Sequence, residues 1–181
     1  MKTDYCEKDF FLMILGVLTL ENRLAVMTSL STGLRIDDVL SLKTEDIKKQ
    51  RFTVREMKTG KNRRIRIGTD LLDDLLKIAG KIYVFENRLD YRKHRTRQAV
   101  WKDLKRACEC FRVSKTLTIT PHTARKVYSV DVYRKTGDLN KVKELLQHSS
   151  EAVTVVYALA DVLTERHHTE KQLNTVNPSV V

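Results

Sequence analysis

Between residues 51 and 68 the chain leaves the helical period that governs most of its length. RFTVREM (51–57) and RRIRIG (63–68) alternate apolar and polar residues on either side of KTGKN, the pattern of a β-hairpin with a glycine-containing turn. Elsewhere apolar residues recur at spacings of three and four. Helices are expected over 7–19, 20–31, 36–42, 69–80, 97–111, 122–136, 138–147 and 150–166, with Gly33 stopping the second and Thr96 capping the fifth. A short strand is expected over 82–86, and the tail TVNPSVV reads as extended or mobile. One small antiparallel element among that many helices restricts the chain to a compact, mostly α-helical α+β domain.

Composition fits a packed domain. Of 181 residues 41% are hydrophobic, with 6 Gly and 2 Pro, which excludes a disordered chain and leaves no linker. The apolar stretch FFLMILGVLTL has no basic segment before it and no small-residue cleavage site, so it reads as a core helix; it is too short for a membrane span. Cys6, Cys108 and Cys110 have no zinc-ligand spacing and are expected to be reduced packing thiols of a cytoplasmic protein. No metal site is expected.

Lys and Arg total 34 against 23 Asp and Glu, a net charge of +11. Such an excess suits a polyanionic partner, since counterion release drives binding to phosphate backbones; a basic protein without that role would carry the same number. The charge is clustered. Lys58, Lys61, Arg63, Arg64 and Arg66 form one group, and Arg88, Arg92, Lys93, Arg95 and Arg97 with His94 form another. Both groups fit a duplex-binding surface as well as a solvated one.

Four patches can carry chemistry. In PHTARK, Pro121 sets a helix start near His122, so His122 and Arg125 share a face at an N-terminus that favours phosphate. An imidazole can exchange a proton there, and a guanidinium can hold two oxygens in a fork. In TGLRIDDVLSL, Arg35 opens a short helix and can either pair with Asp37 or Asp38 or bind a phosphate with an acidic neighbour fixing its orientation. A lysine at the hairpin turn can donate a proton or act as a point charge. In LLQHSSEAVTVVY, a serine-capped helix buries Ala152, Val155, Val156, Leu159 and Leu163 and sets Tyr157 at the edge of that stripe, nine residues after His148. A tyrosine there either packs or, with cationic neighbours and a phosphate held in line, serves as a nucleophile.

In this order and spacing the four patches resemble the catalytic domain of the tyrosine recombinases, the phage integrase family, over about residues 15–160. TGLRIDDVLSL resembles the family's first-arginine box, KTGK its lysine turn, PHTARK its HxxR box and LLQHSS…Y its closing box. The resemblance implies a site-specific recombinase that cleaves and rejoins DNA through a 3′-phosphotyrosyl intermediate. It implies Tyr157 as nucleophile, Arg35 and Arg125 on the non-bridging oxygens, Lys58 as general acid, His122 in proton exchange and His148 as a phosphate ligand. Asp38 takes a supporting acidic position. Lys61, which can compete for the lysine role, is counted with Arg63, Arg64, Arg95, Arg97 and Lys126 among the expected DNA contacts. No metal or nucleotide cofactor is implied, because the covalent link conserves the bond energy.

Departures from the family pattern are Ala124 and Lys126 in the HxxR box and Gln147 before His148. Residues 1–181 are expected to form one catalytic domain, with an extension over about 1–14, a C-terminal helix and tail over 162–181 that can dock on a neighbouring protomer, and no core-binding domain. That length matches the short fimbrial-type invertases or a catalytic fragment. Expected partners are double-stranded DNA and further copies of the chain, as dimers or a tetramer on DNA and a monomer in solution, in the cytoplasm of a bacterium or phage host, at the nucleoid. Two other readings share the residues: relaxation of supercoils like a type IB topoisomerase, and a non-catalytic DNA-binding or regulatory relative.

Overall fold

The computed structural model describes residues 3–112, 117–146 and 156. Its elements are α1 (Lys8–Leu15), α2 (Leu20–Thr32), α3 (Ile36–Leu40), α4 (Thr44–Ile47), β1 (Arg51–Arg55), β2 (Asn62–Arg66), α5 (Thr69–Ile78), α6 (Arg97–Cys110), α7 (Thr123–Thr136) and α8 (Leu139–Leu145). They fall into two compact units divided between Tyr128 and Ser129, within α7.

In the first unit α2 is the central helix, packed against α1, α3, α5 and α6. Each neighbour turns a short apolar stripe inward at helical spacing: Phe11, Ile14 and Leu15 from α1, Leu72 and Leu75 from α5, Val100, Leu104, Ala107 and Cys108 from α6. Buried on several sides, α2 also sinks polar residues: Asn22 bonds Asp103 on α6, and Thr28, Ser29 and Thr32 bond within the helix and just beyond it. Thr28 Oγ1 donates to the Leu24 carbonyl at 2.8 Å, and Ser29 Oγ donates to that of Leu34 at 2.7 Å. α2 ends where Gly33 takes the left-handed conformation (φ 69°), its N–H closing on the Ser29 carbonyl at 2.8 Å. That reversal places Arg35 at the head of α3, whose Ile36, Val39 and Leu40 are buried.

The expected hairpin forms, with Phe52 opposite Ile65 and Val54 opposite Arg63 and both strands alternating exposed and buried. The ladder is shorter than the sequence suggested, because residues 56–61 form the turn. Thr96 caps α6 as expected, accepting from the Ala99 N–H at 3.2 Å. The strand expected over 82–86 is absent: isolated bridges join Lys43 to Tyr83 and Glu86 to His94, and no ladder forms. Thr44–Ile47, not anticipated, is a single turn that buries one residue, Ile47. Cys6 and Cys108 are buried and unbridged, and burial pushes the Cys6 thiol up to about 12, so it packs without forming a thiolate at neutral pH.

In the second unit, α8 is capped by Asp138, whose carboxylate accepts from the N–H groups of Asn140 and Lys141 at 2.8 and 3.2 Å. Val130, Tyr133, Val142, Leu146 and Val156 are buried. The closing helix expected over 150–166 lies outside the described residues apart from Val156, which is helical.

Candidate active site

The C-terminus of α2 is gripped by two arginines on consecutive carbonyls. Arg63 Nη2 donates to the Thr32 carbonyl, and Arg125 Nη1 donates to the Gly33 carbonyl. Carbonyls at a helix end lack intrahelical donors and concentrate negative partial charge, so guanidiniums are well placed there. Two residues further on, Arg35 turns its side chain toward the hairpin and donates from Nη1 to Glu56 Oε2 at 2.6 Å. Its carboxylate partner is therefore Glu56, not Asp37 or Asp38. Asp37 instead pairs with Arg97 at 3.2 Å across an exposed surface.

Glu56 is fully buried, and its other oxygen faces Arg63 Nη1 at 3.6 Å. Asp38 lies on the remaining side, with one oxygen accepting the Met57 N–H at 2.8 Å. Three guanidiniums and two carboxylates thus share one pocket of low dielectric. Burial, then the charge of Arg35, push the Arg125 guanidinium down to about 10, while Glu56 and Asp38 oppose the shift. It stays a cation at neutral pH. Burial likewise raises the Asp38 carboxyl above its usual range.

Lys58 lies in the turn just beyond this cluster and is exposed, as is Lys61. The turn is closed by the Glu56 N–H to the Lys61 carbonyl at 3.0 Å and the Gly60 N–H to the Glu56 carbonyl at 2.8 Å, with Gly60 at φ 66°. His122 immediately precedes α7, as Pro121 implied, and its N–H donates to Thr120 Oγ1 at 3.2 Å. Its carbonyl accepts from the Arg125 N–H at 3.1 Å, so the turn that carries His122 also fixes Arg125. His148 and Tyr157 lie outside the described residues.

The expected DNA contacts separate. Arg64 is exposed on the outward face of β2. Arg63 is not at the surface: the strand alternation turns it inward, to Glu56 and Thr32. Arg95 is half-buried, with Nε donating to Asn22 Oδ1 at 2.6 Å; Arg97 is exposed and paired with Asp37; and Lys126 Nζ donates to the Thr3 carbonyl. Sequence reasoning missed Glu56. The signal was present, since the alternation that buries Phe52 and Val54 continues to Glu56 and puts an acid on the same inward face as Arg63.

A model of the phage integrase family matches residues 6–163. Among curated proteins, the chain is 27% identical to a probable integrase/recombinase, YoeC, of Bacillus subtilis, covering 88% of this chain and 82% of that one. It is 30% identical to the tyrosine recombinase XerA of Pyrococcus furiosus and 31% to XerD of Mycobacterium tuberculosis, covering 76% and 81% of this chain and 50% of each of those. The chain thus spans about half the length of most of the curated relatives it matches. In solved structures the fold aligns with XerA recombinase at a TM-score of 0.68 (22% identity, 94% of this chain and 66% of that one) and with a lambda integrase dimer bound to a COC′ core site at 0.70 (22%, 86% and 48%).

Proposed function

The chain belongs to the phage integrase family, that of the tyrosine recombinases, and on that premise we propose that it is a site-specific recombinase that cleaves and rejoins DNA by transesterification. Its fold is the mostly α-helical α+β fold with a small antiparallel hairpin that the sequence implied. One observation carries the proposal: the partly buried Arg35 and the buried Arg125 lie in one cluster that also reaches the lysine turn. Glu56 and Asp38 offset two of the three guanidinium charges, and the positive charge left over favours a bound anion. A phosphodiester is such an anion, and its transition state gathers further charge on the non-bridging oxygens these arginines would hold.

In this reading Tyr157 Oη attacks phosphorus, the Tyr–O–P bond forms and the P–O5′ bond breaks. Lys58 gives its proton to the departing 5′ oxygen. His122 exchanges the phenol proton, and His148 hydrogen-bonds the phosphate. Asp38 supports through the Met57 N–H. A second 5′-hydroxyl then attacks the phosphotyrosyl link, so no water, metal or nucleotide enters. Arg64, Arg97, Lys61 and Lys126 lie on the DNA side, with Arg95 held by Asn22. Residues 1–181 act as one catalytic domain, monomeric in solution and dimeric or tetrameric on DNA, in the cytoplasm at the nucleoid. The segment 162–181 docks on a neighbouring protomer.

The test is a duplex carrying the chain's own recombination site, nicked so that cleavage releases a short fragment and traps the adduct. Wild type gives a covalent protein–DNA band on a denaturing gel, and Tyr157→Phe gives none. A protein that binds the verified site yet forms no adduct is a DNA-binding relative, and the proposal fails.

A further inference from the structure

We propose that Glu56 is a positioning residue of this site, its buried carboxylate fixing the Arg35 guanidinium against the turn that carries Lys58. The inference rests on the recombinase reading above and adds to it a residue outside the four boxes.

Glu56 has no exposed surface, although the next two residues of the turn, Met57 and Lys58, are exposed. A buried carboxylate is costly to retain unless it is paired and hydrogen-bonded. The pairing here is specific. Oε2 accepts from Arg35 Nη1 at 2.6 Å and from Thr59 Oγ1 at 3.3 Å, and Oε1 faces Arg63 Nη1 at 3.6 Å. Through its main chain the same residue closes the turn at both ends, donating to Lys61 and accepting from Gly60. Asp38 makes a second tie from α3 to the turn, at the Met57 N–H.

One side chain therefore sets the direction of Arg35, and one backbone sets the bend on which Lys58 stands. With Nη1 committed to Glu56, the planar fork of Arg35 has its remaining donors aimed in one fixed direction. An apolar residue would fill the volume and leave that direction undefined, and it would leave the partly buried Arg35 and the buried Arg63 beside Arg125 with one compensating carboxylate fewer.

The measurement is single-turnover adduct formation on the nicked site by wild type, Glu56→Gln and Glu56→Asp, at saturating and half-saturating protein. Each is run on the natural phosphodiester and on a duplex whose scissile phosphate is an uncharged methylphosphonate. Misplacing a positioned group by about 1 Å can cost about 100-fold. Glu56→Gln should slow cleavage of the phosphodiester about 10- to 100-fold at saturation, with half-saturation changed by less than about twofold. On the methylphosphonate, which asks less of Arg35, the deficit should shrink to about threefold or less. Should Glu56→Gln not fold, Glu56→Asp, which keeps the charge but withdraws it by one methylene, gives the same comparison. Cleavage at the wild-type rate, or equal slowing on both substrates, overturns the assignment. A wild type that binds its site and forms no adduct overturns the recombinase reading instead, and the assignment with it.

Discussion

Asp38 has 1% of its surface exposed, one oxygen bonded to the Met57 N–H and the other buried with no hydrogen bond among the described residues. Burial raises its carboxyl above the ordinary value of 3.8; the Met57 N–H lowers it, the charge of Glu56 raises it again, and Arg35 and Arg125 lower it. The folded chain therefore holds this proton more tightly than the unfolded chain does. Between the ordinary and the raised value, increasing pH costs stability, and the cost is complete once Asp38 is ionised in the fold. Asp38→Asn keeps an acceptor for Met57 and removes the titration. Its melting temperature should gain on that of wild type as pH rises from about 4 to 7, each raised pKa unit being worth about 1.4 kcal/mol and about 2–4 °C per kcal/mol in a chain of this size. A difference that stays flat over that range would contradict burial as the ruling cause.

At the scale of elements, the turn from α2 to α3 and the hairpin turn use glycine for different reasons. Gly33 sits at φ 69°, and a Cβ there would come within 2.5 Å of the Tyr128 ring while its carbonyl is held by Arg125. Gly60 sits at φ 66° with open space around it. Gly33→Ala should lose about 2–5 kcal/mol through strain and overpacking together. Gly60→Ala should lose about 1 kcal/mol through strain alone. Equal losses in chemical denaturation would refute the contribution of Tyr128. The stop at Gly33, the Thr96 cap and the start of α7 after Pro121 were all legible, because each is a local signal. The hairpin was legible from its period, but not that its turn begins at Glu56, since the side-chain alternation continues past the last ladder bond. The segment 82–86 looked like a strand because Tyr83, Val84 and Phe85 suit one; Val84 and Phe85 are buried, yet pairing is limited to isolated bridges. The basic residues around Arg63 looked alike in sequence, and only the inward face of β2 separates a buried ligand of Glu56 from its exposed neighbour Arg64.

For the whole molecule, a net charge of +11 states how much positive charge there is and not where it is free. Much of the second basic cluster is partnered: Arg92 and Lys93 pair with Asp90 at 3.1 and 3.5 Å, Arg97 with Asp37, and Arg95 bonds Asn22. On the outward face of the hairpin, Arg51 stands directly opposite Arg66, and Arg64 lies between Arg66 and the turn, with no ion pair to any of the three among the described residues. Like charges opposite one another weaken a strand pair, so this face is built at some expense to the hairpin that a polyanion would relieve. DNA affinity should therefore draw more on the hairpin than on residues 92–93. Replacing Arg64 and Arg66 together with Gln should reduce the slope of log affinity against log salt by about 2, at about 0.9 for each phosphate no longer neutralised. Replacing Arg92 and Lys93 should change it by less than about 1, because Asp90 already offsets them. Thermal stability of the hairpin variant should be unchanged or slightly higher, since the Arg51–Arg66 repulsion goes with it. Fluorescence anisotropy of a labelled duplex between about 50 and 200 mM salt reads both slopes, and a larger decrease from residues 92–93 than from the hairpin would place the DNA-facing surface elsewhere.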